Sequence, residues 1–327
     1  MSRILLIFYI ISPNPIKMVY NIFMKHIFII NPTAGKYDQS KEMQAKIELA
    51  FSNCGCNDPY DIYISKYPQD ATHYARKQAI SGETIRFYAC GGDGTLNEVL
   101  NGISDQDNCS LAIIPIGTGN DFVKSFTDYK ESDFLDIEAQ IKGKESKIDV
   151  LKIGDMLSIN LISSGLDSAI ASNVSKFKRL PAINGSSAYN LSLIYCFFTS
   201  LYHSFSFSID HEQYPDGSYI FAVAANGKCY GGGYHAAPLA DVQDGYIDVV
   251  CVKKVSRLRV LNLVSTYKKG EHLALEDSVI FKRAKRLQLF SKKPFIMNID
   301  GEIKTMKNPC IKILPSYLSF SLPHKQA

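Results

Sequence analysis

The sequence lacks several features that would point away from an ordinary globular enzyme. It has no Lys/Arg block longer than a few residues, and Lys plus Arg (36) exceed Asp plus Glu (32) by only four, so no nucleic-acid partner is expected. The eight cysteines form no C-x-x-C pair and have no matching histidine spacing. Several fall inside apolar, strand-like runs, which fits a reduced chain in the cytoplasm. No G-x-x-x-x-G-K-[ST] occurs, so Lys36 is not a Walker lysine. The apolar run near the N-terminus, Ile4 to Ile11, would rise about 12 Å as a helix against about 30 Å of bilayer hydrocarbon. Pro13 and Pro15 interrupt that segment and no small-residue cleavage site follows. Residues 1–24 are therefore read as an extension outside the fold, with the folded unit starting near Met24. Internal repeats and low-complexity linkers are absent as well.

What is present alternates between two periods. "HIFIINP" (26–32), "DIYIS" (61–65), "IRFYAC" (85–90) and "LAIIPIG" (111–117) read as buried strands. Residues 38–52, 68–81 and 95–103 between them carry helical spacing. Such alternation implies βαβ units, hence an α/β domain with a parallel sheet covered on both faces, and ligands at the carboxyl ends of its strands. From about residue 148 the texture becomes mainly antiparallel β, sandwich-like, with two strands expected around a Gly154-Asp155 turn and helical material at 187–202 and 256–276. The change of period divides the chain into 25–147 and 148–304, with 305–323 a candidate to return to the first domain.

Three glycine turns, "NPTAGK" (31–36), "GGDGT" (91–95) and "GTGND" (117–121), each follow a predicted strand of the first half, so all three face one edge of the sheet. Each is either a tight turn or helix cap, or a cradle in which glycine lets backbone N–H groups approach a phosphate. Asp93 stands in the middle one. A carboxylate cannot cradle phosphate by itself; it would act through a divalent cation, or as a base or orienting group, which points to Mg²⁺ with a nucleotide.

"GGDGTLNEVLNGI", with "NPTAGK" before it and "PIGTGNDF" after it, resembles the diacylglycerol kinase catalytic domain and related bacterial lipid kinases. "AANGKCYGGGYHAAPLADVQDGYIDVV", "KKGEH" and "IDGE" follow in the family's order, so the resemblance spans residues 25–323. It implies an ATP- and Mg²⁺-dependent transfer of the γ-phosphoryl group to a lipid hydroxyl, with diacylglycerol the first candidate acceptor. A kinase for another lipid, such as phosphatidylglycerol or a sphingoid base, and a soluble kinase of nicotinamide dinucleotides are the alternatives.

The resemblance also implies roles. A lipid hydroxyl is about as weak an acid as water, so its attack benefits from a positioned base. Asp300 of the D-G-E segment takes that part, with Glu302 as its support or a second metal contact; the competing reading is a plain Asp-Gly turn. Asp93 would orient nucleotide-bound Mg²⁺ through water, joined by Asp121 and Asp149, for which a helix cap and a solvated strand start are the bland readings. Asn31, Gly35, Gly91, Gly92, Gly94 and Thr95, with Asn97, Gly117, Thr118 and Asn120, would offer N–H groups and side-chain dipoles to the phosphates, and Lys36 a point charge. Asp241, Asp244 and the Tyr246 carbonyl resemble a regulatory Mg²⁺ site, or form only a turn between strands. Glu271 and His272 match the family pattern without a chemical role.

The substrate implied lies in a bilayer, so transient peripheral contact at the inner face of the membrane is expected. Lys176, Lys178 and Arg179 would contribute about 3 kcal/mol to it. The following run 189–202 either touches the surface or forms a buried helix. A homodimer through an exposed sheet edge is compatible with the reading.

Overall fold

The computed structural model describes residues 24–177 and 185–325. The N-terminal extension up to residue 23, and Lys178 and Arg179, lie outside the described residues.

The first half runs β1 (Lys25–Ile30), α1 (Ser40–Cys54), β2 (Tyr60–Ile64), α2 (Asp70–Ala79), β3 (Ile85–Gly91), α3 (Asp93–Gly102) and β4 (Cys109–Pro115). A 3₁₀ turn (Phe122–Ser125) and two short helices, α4 (Glu131–Leu135) and α5 (Ile137–Ile141), follow. The strands pair in parallel in the order β2-β1-β3-β4. The apolar runs of β1, β3 and β4 are continuous because both faces are covered, whereas β2, expected from the sequence as a buried strand, lies at the sheet edge and is exposed to half-buried. Ile27, Ile29, Phe87 and Ala89 pack beneath α2 and α3, while Phe28, Ile30, Tyr88 and Cys90 pack beneath α1 and α5. At about 1.5–3 kcal/mol for each large apolar side chain fully buried, this double burial is the main force holding the glycine turns at one edge.

The second half comprises β5 (Lys144–Ile153), β6 (Met156–Ser158), β7 (Leu161–Gly165), α6 (Leu166–Phe177), α7 (Gly185–Thr199), β8 (His203–Ile209), β9 (Glu212–Ala225), β10 (Ile247–Lys253) and α8 (Arg257–Lys269). Then come a 3₁₀ turn (Glu271–Ala274), β11 (Val279–Ala284), β12 (Arg286–Phe290), β13 (Phe295–Ile299), β14 (Glu302–Met306) and β15 (Cys310–Leu322). The strand pairs within this half are antiparallel. The fold class is the one expected from the sequence, a parallel α/β half followed by a mainly antiparallel β half.

Three details differ. The segment 148–165 holds three strands, because Leu161–Gly165 leaves the hairpin to pair with β9 and β13. Helix α6 was hidden in the Ser- and Asn-rich "LDSAIASNVSKF"; Leu166, Ala169 and Ile170, three and four apart, turn one face into the core. The helix after Gly92 begins at Asp93 rather than Thr95, since Gly92 is extended and the carboxylate favours the positive end of the first turn. Strand β15 lies parallel to β4 and antiparallel to β5, and its Leu318 and Phe320 enter the core of the first half. Through β15 the hydrogen-bonded sheet runs on into the second half.

Candidate active site

The three glycine turns converge as their positions at the strand ends require. A Cβ on Gly91 would lie 2.2 Å from the Thr95 hydroxyl, and one on Gly117 would lie 2.5 Å from the Gly92 Cα, so the second and third turns meet backbone to backbone. Asn31 donates its amide to Thr95 Oγ1 at 3.0 Å, joining the first turn to the second. Between the turns and the second half lies a cavity of about 460 Å³. Asn31, Gly35, Gly92, Gly94, Thr95, Gly117 and Thr118 line it, together with Asp93, Asp121, Asp167 and Asp300. Gly91 sits beneath Thr95, fully inside.

Asp93 is the fastening of the third turn. Its Oδ2 accepts the Asp121 amide and its Oδ1 the Phe122 amide, both at 3.0 Å, while burial raises its pKa. Asp121 in turn accepts the Gly232 amide at 2.7 Å and pairs with Lys124 at 2.5 Å, and its side chain does not cap the 3₁₀ turn that follows it. The second half enters through Gly231, Gly232 and Gly233, all at positive φ. Only glycine accepts three such residues in a row at low cost.

Asp300 closes the opposite wall. At φ 46° it turns its carboxylate onto the backbone amides of Ile159 (2.7 Å), Asn160 (3.3 Å) and Leu161 (2.8 Å). Burial pushes its pKa up to about 6 against the pull of those amides. Glu302 does not line the cavity; it accepts from Gln69 at the start of α2 and faces Lys304 at 3.5 Å, tying β14 to the first half. Asp167 is a site residue that the sequence did not disclose. Its pKa is raised by burial and opposed by hydrogen bonds from Ser163, Asn298 and Tyr230.

This geometry has relatives. The diacylglycerol kinase catalytic domain family matches residues 25–153, and the YegS C-terminal NAD kinase beta sandwich-like domain matches 160–321. Residues 25–153 form a diacylglycerol kinase catalytic domain. The chain is a lipid kinase. Proteins named diacylglycerol kinase from Bacillus subtilis and Staphylococcus epidermidis are 26% and 28% identical to it, each over 84% of this chain, covering 88% and 84% of their own lengths. A crystal structure of a diacylglycerol kinase from Bacillus anthracis str. Sterne superposes with a TM-score of 0.65 at 20% identity over 91% of this chain and 96% of that one, and shares its fold.

Several expected site residues of the kinase stand elsewhere. Asn97 points away from the cavity and accepts from Asn101, which clasps the backbone N–H and C=O of Leu157 on β6. Asn120 spends its amide on the Pro115 and Gly117 carbonyls and on Glu131, so it shapes the third turn from behind. Lys36 is exposed and does not line the cavity. His272 is buried, with Nε2 on the Ala236 carbonyl at 3.1 Å and its ring 4.5 Å from that of Tyr267, and burial lowers its pKa to about 4. That is a structural histidine.

Asp149 leaves the Asp93 cluster altogether. It is fully buried and accepts the amides of Gly245 (2.5 Å) and Ser316 (2.7 Å), the latter where the register of β15 shifts. Strand alternation decides this, since it aims the side chain of Asp149 away from the glycine turns. Asp149→Ala is expected to cost about 2–4 kcal/mol by leaving two buried amides unpaired, with turnover per folded molecule preserved. Chemical denaturation beside a rate assay checks it; a stable but inactive variant would return Asp149 to the site.

The acidic turn at 241–246 carries its own cations. Arg283 pairs with Asp244 at 2.9 Å and with Asp248 at 3.3 Å, and Lys285 stands 3.6 Å from the Tyr246 ring centroid. Asp241 accepts the Gln243 amide. A divalent ion held by Asp244 would compete with a guanidinium already there, so this turn fits a regulatory Mg²⁺ poorly. Among the described residues the potential three-ligand metal group is instead His26, Cys56 and Asp58, away from the cavity.

A second, apolar cavity of about 60 Å³ adjoins the first. Leu166, Ile170, Leu193, Phe221, Val260 and Leu263 line it, and Asp167 and Tyr230 are common to both. No helix among the described residues is long and apolar enough to cross a membrane.

Proposed function

We propose that the protein transfers the γ-phosphoryl group of Mg²⁺-ATP to the hydroxyl of diacylglycerol, giving phosphatidic acid. The observation that carries this reading is a pair of neighbouring cavities, one walled by glycine turns and carboxylates and an apolar one beside it, with Asp167 and Tyr230 lining both. A nucleotide suits the first; the second, at about 60 Å³, takes a few methylenes of an acyl chain, so the acceptor hydroxyl would arrive between them.

In this reading the backbone N–H groups of the glycine turns hold the nucleotide phosphates. The acceptor hydroxyl attacks the γ-phosphorus, the bond to the bridging oxygen breaks, ADP departs and the proton passes to Asp300. A pKa near 6 suits a base that must be ionised yet still proton-seeking at neutral pH. Asp167, hydrogen-bonded and half-way between the cavities, would orient the head group.

The residues present also suit a hard cation: Asp93 and Asp121 present carboxylate oxygens with lone pairs left over, and the raised pKa of Asp93 reflects buried negative charge that a nearby cation would relieve. Mg²⁺ near these two, reached through water, would supply charge neutralisation on the phosphates.

The apolar cavity gives the test. Ile170→Trp should fill it and raise KM for long-chain diacylglycerol about tenfold or more, with KM for ATP unchanged. Steady-state kinetics on micelles of long- and short-chain lipid read the effect. Equal loss with both acceptors, or a change confined to ATP, would contradict the assignment of this cavity to the acyl chain.

A further inference from the structure

We propose that the face built from the end of α7, the start of α8 and the 291–294 turn docks on an anionic lipid bilayer; the inference rests on the lipid-kinase reading and names its membrane surface. Four large apolar side chains stand out there, Ile194 (56% exposed), Phe198 (66%), Leu258 (79%) and Leu261 (58%). Their spacing explains the exposure. Ile194 and Phe198 are four apart on one side of α7, and Leu258 and Leu261 three apart on one side of α8, while Cys196, Val260 and Leu263 face the core.

The two helix faces adjoin. Arg257 donates to the Phe198 carbonyl at 3.4 Å, and the Tyr202 hydroxyl donates to the Val255 carbonyl at 2.7 Å. Lys254 and Arg257 stand 5.1 and 5.9 Å from the Tyr202 ring centroid. Tyr202 also borders a hollow of about 660 Å³ whose lining includes Lys292 and Lys293 against a single acid, Asp216. The apolar patch is thus fringed by positive charge. An apolar centre with a cationic border is the pattern that inserts shallowly among lipid head groups and is drawn to an anionic leaflet.

Continuity with the acyl cavity favours a bilayer over an acidic protein as the occupant. Leu193 of α7 and Val260, Leu263 and Val264 of α8, which line that cavity, belong to the same helices whose outer sides carry the patch. Docking by this face brings the cavity to the level of the lipid it must receive.

The test is sedimentation of the full chain with vesicles of phosphatidylcholine containing about 30 mol% phosphatidylglycerol, beside vesicles of phosphatidylcholine alone. The wild type should bind the anionic vesicles and lose them as salt rises. Phe198→Glu with Leu261→Glu, and separately Lys254→Glu with Arg257→Glu, should each weaken partitioning at least about tenfold. Leu49→Glu, a change at an equally exposed apolar residue of α1 (60%), should not. Failure of the wild type to bind, wild-type partitioning by both double variants, or an equal loss in Leu49→Glu would each overturn the proposal. Because sedimentation needs no turnover, an inactive protein that binds through this face would remove the kinase reaction and leave the surface, and an active one that binds elsewhere would do the reverse.

Discussion

Asp300→Asn is expected to lower kcat by about 100- to 10,000-fold, the usual worth of a positioned base, with nucleotide affinity little changed. The pH profile distinguishes proton transfer from general damage. Burial holds this carboxyl at about 6, so the ionised form that accepts a proton predominates above that value and turnover should fall as pH drops through it. In the variant that acid limb should vanish along with most of the rate. The three backbone amides that converge on Asp300 add a second consequence. An Asn side chain turns an NH₂ toward some of those donors, at a cost of about 1–3 kcal/mol, although Asn tolerates the left-handed turn well. Rates must therefore be compared at a temperature where both proteins are folded, verified by a thermal melt. Near-wild-type turnover, or an unchanged acid limb, removes Asp300 from proton transfer.

Asp93→Ala should be as severe for a different reason. The carboxylate holds the Asp121 and Phe122 amides, so its loss frees the third glycine turn from the start of α3 and displaces Asp121, which in turn anchors Gly232 of the second half. Turnover should drop about 1,000-fold or more, because donors that must be in place before the reaction are no longer fixed. Unlike Asp300→Asn, this change should also weaken binding of Mg²⁺-ATP, measured by calorimetry without lipid. If nucleotide binding keeps its affinity and its metal dependence, Asp93 neither orients a metal nor organises the turn.

The parallel half was legible because β1, β3 and β4 are buried on both faces and read as unbroken apolar runs, each leading into a glycine-containing turn; the edge strand β2 is only partly buried. Which way a polar side chain faces was less legible. Asn97 carries the right residue type two positions after Thr95, but one helical step of about 100° turns each successive residue, and two steps aim it at Asn101 instead of the cavity. Asp149 suffers the same fate through strand alternation. Asp167 gave no signal, being a lone acid after "SSG", and its position depends on β7 lying beside β13 so that Ser163 and Asn298 reach it. The glycine run at 231–233 was visible, yet its partner Asp121 lies 111 positions away. Arg283, likewise, meets Asp248 only because β10 and β11 pair.

The measurement that bears most directly on the central claim is transfer of labelled γ-phosphate from ATP in Mg²⁺. The acceptors are mixed micelles of diacylglycerol, phosphatidylglycerol or a sphingoid base, beside a lipid-free reaction with NAD. The account predicts label in diacylglycerol; label in another of the lipids would keep the neighbouring cavities and change the head group that Asp167 receives. Label in NAD alone, or in none of the four, would contradict it.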